Sequence, residues 1–547
     1  MNELRPQLLS SLKGYTKEKF VKDLIAGIIV AIIALPLSIA LALASGVAPE
    51  QGLYTAIVAG FIISALGGSK VQIAGPTAAF ATIVAGIVAK NGMDGLAIAT
   101  VMAGIILLIM GLLKMGSMIK FIPYTITTGF TAGIAVTILI GQLKDFMGLT
   151  FENAPVETME KVKEVISCIG TINPMAVLIG VISLAILIIC PKFLKKIPES
   201  LIAVIVTAAA VKIFKLPVNT IGDLYTISSS LPSFHMPAVN YQTVAAVLPD
   251  AFTIAILAAI ESLLSAVVAD EMIGSRHNSN MELVAQGIGN AASAMFGGIP
   301  ATGAIARTAA NIKNGGRTPV AGMVHAVVLV LVLVLLMPYA ALIPMPCIAA
   351  ILFKVAYNMS GWRKMVSIVK SSPKSDISVL VLTFVLTVMF DLVVAIVVGI
   401  TLACLLFMTR MANVSNVQEW EYVEDTSDDS GRLKPVPQHV MVYEITGPMF
   451  FGAADKIPHM DKDTNKNVLI MRMRAVPALD ITALNCLRRL WQECREKGIR
   501  VVFSHVNEQP MSVFVKSGLL EEVGEENFRP NIDAALEYAE ELANTRK

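Results

Sequence analysis

The chain has 547 residues, of which 55% are hydrophobic and only 15% are charged, and its formal net charge is +2. Soluble globular proteins carry about 25% charged residues. The composition therefore excludes an ordinary soluble enzyme and predicts a polytopic membrane protein, and the small net charge gives no reason to expect a nucleic-acid partner. The polar N-terminal segment, residues 1–23, lacks the compact apolar core of a secretory signal, so we expect it to be retained on the cytoplasmic side.

Fourteen apolar stretches follow one another between Leu24 and about Met408 and predict a transmembrane transport domain over residues 24–410. A straight helix needs about 20 residues to cross a bilayer. The third stretch, near 75–89, and the tenth, near 301–312, are too short to cross alone. Lysine and arginine are concentrated in the turns on the side of the N-terminus, so the positive-inside rule places both termini in the cytoplasm.

The composition changes after Arg410. Residues 411–437 are acidic, polar and proline-bearing, which predicts a linker. Over residues 438–547, strand patterns such as HVMVYEIT and NVLIMRM alternate with amphipathic helical patterns such as TALNCLRRLWQECREKG. This alternation predicts one small cytoplasmic α/β domain.

The two short stretches occupy matching positions in the two halves of the membrane region. Each follows a segment that ends in small residues, SALGG before the third stretch and SAMFGG before the tenth. Each is third in a series of seven, and because seven is odd, the second series enters the membrane from the opposite side. Short segments interrupted by glycine and proline at corresponding positions indicate a transporter binding site at an inverted-repeat interface. We therefore predict an α-helical polytopic protein with a 7+7 inverted repeat and two half-helices.

Two half-helix N-termini that face each other would form an anion site from backbone N–H groups and helix dipoles. Small residues would let a ligand approach the main chain, and Pro76 and Pro300 suit the first turn of a half-helix, where a missing N–H costs nothing. Phe80 would either cap the ligand or pack in the core. The candidate anion-binding residues are Gly75, Pro76, Thr77, Ala78, Ala79, Phe80, Ala301, Thr302, Gly303, Ala304 and Arg307.

Two ionisable residues lie in segments that we expect to be inside the hydrocarbon core of the bilayer. A charge at the bilayer centre costs at least about 2.5–3.5 kcal/mol, so we predict that Arg307 draws the anion to the site rather than forming a structural pair or extending to the cytoplasm. Glu261 shares a helical face with Ser265, and we predict that these two residues hold a coupling ion, H+ or Na+, rather than a purely architectural contact. No other metal and no cofactor is expected, and His325 is interpreted as a packing histidine.

Several motifs resemble the sulfate permease family of anion transporters. They are DLIAGIIVAIIALPLSIALALASGVAPEQGLYTA, QIAGPTAAF and the stretch that runs from NMELVAQG to GGRTPVAGMVHA, while VYEITGPMFFGAADKI and AVPALDITAL are similar to a STAS domain. The resemblance covers essentially the whole chain. It implies a homodimer in which a core domain, segments 1–4 and 8–11, moves against a gate domain, segments 5–7 and 12–14, in an elevator-like cycle.

The resemblance also bears on individual residues. It implies an anion site at residues 75–80 and 301–307 and a coupling-ion site at Glu261 and Ser265. Many family members carry glutamine at the position of Leu37, so one polar contact to the anion is missing here. Stand-alone STAS proteins carry a phosphorylated serine at the position of Thr482, which we expect to cap a helix in this chain.

We therefore predict a secondary active transporter of the cytoplasmic membrane that carries a small anion, sulfate in first place, by symport with H+ or Na+. Bicarbonate and C4-dicarboxylates such as fumarate or succinate are alternative substrates. An anion uniporter or channel and a membrane-anchored STAS regulatory module are alternative functions, and the STAS domain leaves room for a cytoplasmic protein partner. The sequence contains no nucleophile–base constellation, P-loop or metal-ligand spacing, so no enzyme activity is predicted.

Overall fold

The computed structural model describes residues 4–121, 123–153, 155–193, 198–390, 392–419, 436–457 and 466–544. The chain divides into two compact units, Met1–Ile400 and Thr401–Lys547, each with its own buried core. Within the described ranges, seven helices are long and apolar enough to cross a membrane. This agrees with the polytopic membrane protein predicted from composition.

The first unit consists almost entirely of helices. Its helices are α1 (Gln7–Ser11), α2 (Lys17–Ala44), α3 (Pro49–Leu66), α4 (Ala81–Leu112), α5 (Tyr124–Met147), α6 (Thr158–Ser167), α7 (Pro174–Phe193), α8 (Glu199–Phe214), α9 (Ile221–Leu224), α10 (Tyr241–Ile273), α11 (Ser279–Met295), α12 (Ile305–Lys313), α13 (Val320–Ala340), α14 (Met345–Ser360), α15 (Trp362–Ser371) and α16 (Lys374–Met389). A further helix, α17 (Leu392–Val414), continues into the second unit. All fourteen predicted apolar stretches have a counterpart in these helices.

The third and fourth predicted stretches lie together in α4, which is broken at Gly92. This residue has φ 67° and ψ −173° and so interrupts the helical backbone. Glycine adopts positive φ without a steric penalty because it has no Cβ. The break turns the first part of α4 into a short half-helix and leaves the second part as a separate segment, as the sequence predicted.

Two very short strands mark the places where the two half-helices begin. These strands are β1 (Ala74–Gly75) and β2 (Thr302–Gly303), and they pair antiparallel, with Ala74 opposite Gly303 and Gly75 opposite Thr302. The antiparallel direction is expected if the two halves enter the membrane from opposite sides. The extended segments around β1 and β2, residues 71–77 and 299–304, are called the two crossovers below.

The helices of the first unit form two packing groups. Helices α2, α3, α4, α10, α11, α12 and α13 pack mainly against one another, and α5 packs mainly against α7, α14 and α16. The first group corresponds to the segments assigned to a core domain, and the second to the segments assigned to a gate domain. Both crossovers lie in the first group, since β1 contacts α3 and β2 contacts α10.

The N-terminal segment is fastened to the first group by one buried carboxylate. Helix α2 begins at Lys17, upstream of the first apolar stretch, so Asp23 lies within it. The Asp23 carboxylate accepts hydrogen bonds from the Tyr15 hydroxyl at 2.9 Å, the Arg317 backbone N–H at 2.9 Å and the Thr318 hydroxyl at 2.5 Å. Burial and the neighbouring Asp23 raise the pKa of Tyr15 to about 12. The GGRTPVAG turn is thereby tied to the start of α2.

The second unit contains a five-stranded sheet with helices on both faces. Its strands are β3 (Asn416–Glu419), β4 (Val440–Thr446), β5 (Val468–Ala475), β6 (Arg500–Ser504) and β7 (Phe528–Arg529), in spatial order β3-β4-β5-β6-β7. Strand β3 is antiparallel to β4, and the other neighbours are parallel. Its helices are α18 (Ile481–Glu496), α19 (Glu508–Lys516), α20 (Leu519–Val523) and α21 (Ile532–Asn544). Helices α18 to α20 cover one face and α21 covers the other.

Two predictions for this region differ from the structure. Residues 411–419, assigned to the linker, form the end of α17 and strand β3, because the short polar run after the helix adds an edge strand to β4; residues 420–435 of the predicted linker lie outside the described residues. The prediction that Thr482 caps α18 is wrong. Asp480 is the cap, and its carboxylate accepts a hydrogen bond from the Ala483 N–H at 2.8 Å.

Helices α4 and α11 approach each other through a pair of glycines. A Cβ added at Gly287 would meet the Gly104 carbonyl oxygen at 2.5 Å, and one added at Gly104 would meet the Gly287 oxygen at 2.6 Å. Real Cβ atoms do not approach a backbone oxygen so closely. The packing of the second part of α4 against α11 therefore depends on both residues being glycine.

We predict that Gly287→Ala lowers the stability of the membrane region by about 1–3 kcal/mol, because the added methyl group forces two helix backbones apart. The measurement is the melting temperature of the purified protein in detergent. Gly141→Ala in α5 is the matched control, since a Cβ there meets open space and alanine favours the helix. Equal melting temperatures for the two variants would contradict the close approach of α4 and α11.

Candidate functional site

The crossover before the second half-helix is held by side chains of α3 and α11. The Asn290 amide pairs with both backbone groups of Ala301, accepting its N–H at 2.8 Å and donating to its carbonyl oxygen at 2.9 Å. The Thr55 hydroxyl accepts the N–H of Ile299 at 2.7 Å. Non-helical backbone at membrane depth is tolerated only where its polar groups are satisfied, and these side chains satisfy them.

The two crossovers are also tied to α10 and α12. The Gly303 N–H donates to the Ser262 hydroxyl at 3.0 Å, and the Ile73 N–H donates to the Thr308 hydroxyl at 3.0 Å. The Ala304 N–H donates to the Ile73 carbonyl oxygen at 2.8 Å, beside the β1–β2 pair. The two half-helix starts are therefore fixed with respect to each other.

The half-helices start later than the sequence predicted. Thr77 is extended, a 3-10 turn covers Ala78–Phe80, and α4 begins at Ala81; in the second half Ala304 precedes α12. Pro76 and Pro300 thus lie in the extended crossovers, so their placement in the first helical turn is wrong. The physical reason is that the β1–β2 pairing keeps the flanking residues extended, a conformation that proline also favours in the residue before it.

The predicted small residues line this meeting point as a set. Gly75, Ala301, Thr302 and Gly303 lie in the crossovers and Ala304 at the helix start, while Ala78, Ala79 and Phe80 are buried in the 3-10 turn. At two of the glycines an added Cβ would meet the end of a neighbouring side chain, which would have to move. A Cβ on Gly75 would overlap the Arg307 guanidinium, and one on Gly303 would overlap the Gln72 amide.

Glu261 of α10 lies between the two crossovers. Its Oε2 atom accepts hydrogen bonds from the Thr77 hydroxyl at 2.9 Å and from the Thr302 hydroxyl at 3.0 Å. The two hydroxyl oxygens are 3.2 Å apart. One carboxylate oxygen thus links a threonine of the first half to a threonine of the second, and a change in its protonation alters the hydrogen bonds of both.

Ser265, one turn further along α10, has a different partner. Its hydroxyl lies 3.5 Å from the Thr308 hydroxyl of α12, and both residues are buried. The structure therefore places Ser265 against the second half-helix, and Glu261 against the two crossovers. The two predicted coupling residues occupy adjacent turns of one helix and contact different groups.

Arg307 is fully buried, with 1% of its surface exposed, so it does not extend to the cytoplasm. Its Nη2 atom donates to the Ser38 hydroxyl of α2 at 3.1 Å and to the Pro76 carbonyl oxygen at 3.4 Å, which brings the guanidinium to the first crossover. Its Nε and Nη1 atoms are buried and have no hydrogen-bond partner among the described residues. In the described part of the chain Arg307 forms no salt bridge, so a buried positive charge with unused donors lies at the meeting point of the half-helices.

Ser38 and Glu282 are site residues that the sequence did not predict. Glu282 of α11 is wholly buried and accepts four hydrogen bonds, from the N–H groups of Gly68 and Ser69 and from the amides of Gln72 and Gln286, at 2.7–3.2 Å. An acidic residue inside the apolar run MELVAQG was the available signal for it. Ser38 gave no signal, because one serine among apolar residues is common in a membrane helix.

His325 of α13 is fully buried, and neither of its ring nitrogens has a hydrogen-bond partner within the described ranges. Its burial agrees with the interpretation of a packing histidine.

The chain is similar to known transporters over most of its length. The model of the sulfate permease family matches residues 20–383, and that of the STAS domain matches residues 433–535. The chain is 42% identical over 525 residues to "Putative sulfate transporter YvdB" of Bacillus subtilis, covering 94% of this chain and 97% of the relative. It is 32% identical over 496 residues to the bicarbonate transporter BicA of Picosynechococcus sp., covering 87% of each.

Two solved structures are similar to the chain. That of SLC26A9 superposes with a TM-score of 0.87 and 20% identity, covering 99% of this chain and 93% of that one, and it supports the fold alone. The transmembrane domain of a cyanobacterial bicarbonate transporter, BicA, superposes with a TM-score of 0.63 and 30% identity, covering 71% of this chain and 98% of that one.

We predict that Glu282→Gln lowers the stability of the membrane region by about 1–3 kcal/mol, since glutamine offers one acceptor oxygen to donors that now share two. The melting temperature in detergent measures this. Glu18→Gln, at an exposed position near the N-terminus, is the control and should melt like the unmodified protein. An unchanged melting temperature for Glu282→Gln would show that the buried network does not hold the crossover.

Proposed function

The chain belongs to the sulfate permease family of anion transporters and carries a STAS domain, and we propose that it takes up sulfate by symport with H+ or Na+. Its relatives are transporters rather than enzymes. The observation that carries the proposal is the fully buried Arg307, whose Nε and Nη1 donors have no partner among the described residues and lie beside two half-helix starts. A bound oxyanion would supply the missing acceptors and the missing negative charge.

Sulfate is favoured by the charge of the site. Two half-helix N-termini contribute about half a positive charge each, and the guanidinium adds a full one. A divalent anion gains most from such a field. Bicarbonate is the second candidate, because a relative at 32% identity is a bicarbonate transporter; fumarate and succinate remain alternatives because their carboxylates suit the same donors.

The position of Glu261 supports the proposed coupling to a cation. Arg307 contacts the carbonyl of Pro76, and Glu261 contacts the next residue, Thr77. The two charged side chains therefore contact adjacent residues of one crossover. An ionised Glu261 repels an incoming anion. Neutralising it with a proton or Na+ removes this repulsion, and because coupling between two sites is reciprocal, a bound anion also favours binding of the cation. This mutual dependence is what symport requires.

The site is built from one packing group of helices. Ser38, Glu261, Arg307 and both crossovers belong to α2, α10, α12 and their neighbours, so the site can move as a unit against the group around α5. For this reason we also propose an elevator-type transport cycle.

We further propose that the protein lies in the cytoplasmic membrane with both termini in the cytoplasm, as the distribution of lysine and arginine indicates. We also propose that it forms a homodimer and that its STAS domain binds a cytoplasmic partner.

The test is uptake of radiolabelled sulfate, bicarbonate and fumarate into proteoliposomes, with an imposed pH gradient and separately a sodium gradient. Concentrative sulfate uptake under one gradient is the expected result, and it excludes a uniporter or channel. Concentrative uptake of another anion would replace sulfate as the substrate. Absence of uptake for all three would favour a membrane-anchored regulatory module.

We predict that Arg307→Gln abolishes anion uptake or raises KM at least about tenfold, because charge-assisted hydrogen bonds contribute roughly 1.5–3 kcal/mol. The melting temperature without substrate should stay the same or rise, since a buried unpaired charge is removed. Arg363→Gln, at an exposed position in α15, is the control with normal uptake. Lower stability with unchanged KM would make Arg307 an architectural residue.

We predict that Glu261→Gln transports the anion at a rate that no longer depends on the imposed gradient, while anion exchange persists. Glutamine keeps an acceptor for the two threonines but does not take up a proton. The measurement is uptake and exchange in proteoliposomes with and without the gradient. Ser265→Ala is compared in parallel, and gradient-driven uptake that survives in Glu261→Gln would remove Glu261 from the coupling mechanism.

A further inference from the structure

The α21 face of the sheet in the second unit changes from apolar to polar within one pleat. Val442, Ile470 and Val502 lie opposite one another on β4, β5 and β6 and are buried beneath α21. Two residues further along each strand, at the carboxyl ends, the same face carries polar side chains. The carboxyl ends of parallel strands are the usual place for ligand sites in open α/β sheets.

The polar side chains form one continuous row across four strands. In register they are Glu444 of β4, Arg472 of β5, Ser504 of β6 and Arg529 of β7, each opposite the next. Side chains directly opposite on one face of a sheet are close enough to act together. We call these four residues the arginine row. Its formal charge is +1, from two arginines and one glutamate, and Glu444 forms a salt bridge with Arg472 at 3.2 Å.

Two members of the row carry unused donors in buried positions. Ser504 is 0% exposed, and its hydroxyl has no hydrogen-bond partner within the ranges that the structure describes. The Nε atom of its neighbour Arg529 is also buried and has no hydrogen-bond partner in the described part of the chain. The Arg529 guanidinium lies 3.8 Å from the ring centroid of Tyr538, so its position is set by stacking against α21. Buried polar groups are normally hydrogen-bonded, so these two donors are available to a ligand.

The N-terminus of α21 adds partial positive charge near the arginine row. This helix of 13 residues begins at Ile532, three positions after Arg529, and Asn531 accepts a hydrogen bond from the Ala534 N–H at 2.8 Å. A helix N-terminus favours negative charge. The guanidinium, the hydroxyl and the helix start therefore all favour an anion with several acceptor oxygens.

We propose that the arginine row is a binding site for a tetrahedral oxyanion, a sulfate or phosphate group, in the STAS domain. Ser504 donates its hydroxyl hydrogen, Arg529 donates from Nε, and Arg472, held by Glu444, adds positive charge. The inference does not depend on which anion the membrane region transports. It gives the STAS domain a ligand of its own, with an oxyanion as the signal.

The test is hydrogen–deuterium exchange of the full-length protein in detergent, read by mass spectrometry in peptides that cover residues 500–506 and 526–540. Sodium sulfate, sodium phosphate and glycerol 3-phosphate are compared with sodium chloride at equal ionic strength. Slower exchange in both peptides with an oxyanion is the expected result. The three salts distinguish free sulfate, free phosphate and a phosphomonoester, and no protection by any of them overturns the proposal.

Two variants show whether the protection comes from this site. Ser504→Ala and Arg529→Gln should each raise the oxyanion concentration for half-maximal protection about tenfold, as the loss of one charge-assisted hydrogen bond predicts. Arg500→Gln, at the exposed opposite end of the same strand, should leave it unchanged. Protection that persists in both variants would also overturn the proposal.

A stability measurement separates binding from folding. Without an oxyanion, Ser504→Ala should melt at or above the temperature of the unmodified protein, because a buried hydroxyl without a partner is removed. A lower melting temperature in chloride alone would show that the Ser504 hydroxyl serves the fold of the domain, and that outcome contradicts a ligand role.

Discussion

The membrane region depends on how two stretches of extended backbone are satisfied inside a bilayer. Each unpaired backbone group in hydrocarbon costs several kcal/mol, so an interrupted helix is possible only where other groups take the freed donors and acceptors. The β1–β2 pair satisfies part of the need, and the side chains of Thr55, Asn290 and Ser262 satisfy more. Because the two crossovers complete each other, neither half-repeat can form its half-helix start alone.

The arrangement of the two crossovers also fixes the positions of the charged side chains in the site. The crossovers bring Thr77 and Thr302 together, and their hydroxyls hold Glu261 on one side. Arg307 approaches the same crossover from the other half of the repeat and is held by Ser38. In the described chain the two charged side chains have separate partners and form no salt bridge with each other. A direct pair would neutralise the site, and the separate partners keep a positive group available for an anion.

Much of this could be predicted from the sequence, because its strongest signals are local. The interrupted segments, the cost of Arg307 and Glu261 in apolar surroundings, and the strand–helix alternation after residue 438 all depend on short windows. The starts of the half-helices were not predictable in this way, because they are decided by pairing between residues 74–75 and 302–303, which are far apart in the chain. For the same reason Pro76 and Pro300 fall before the helices rather than in their first turns.

Smaller differences have the same origin. Helical spacing correctly puts Glu261 and Ser265 on neighbouring turns, but the partner of each depends on what packs there, and Ser265 meets Thr308 of α12. At the start of α18, both Asp480 and Thr482 are good capping residues. The backbone places Asp480 at the cap, and its carboxylate also accepts the N–H of Phe451 at 2.8 Å, a contact that the local sequence does not reveal.

Helix α2 contacts both packing groups, through the neighbouring residues Leu37 and Ser38. Consecutive helical residues point about 100° apart, so Ser38 faces Arg307 while Leu37 packs against an apolar cluster of Leu187, Cys347 and Ile351. That cluster belongs to α7 and α14, the group assigned to the gate. A leucine at this boundary makes only non-directional contacts, which can slide without breaking a hydrogen bond. Leu37 is therefore suited to the moving surface of the proposed elevator cycle, and the proposal assigns the anion to Arg307 and the crossovers rather than to this position.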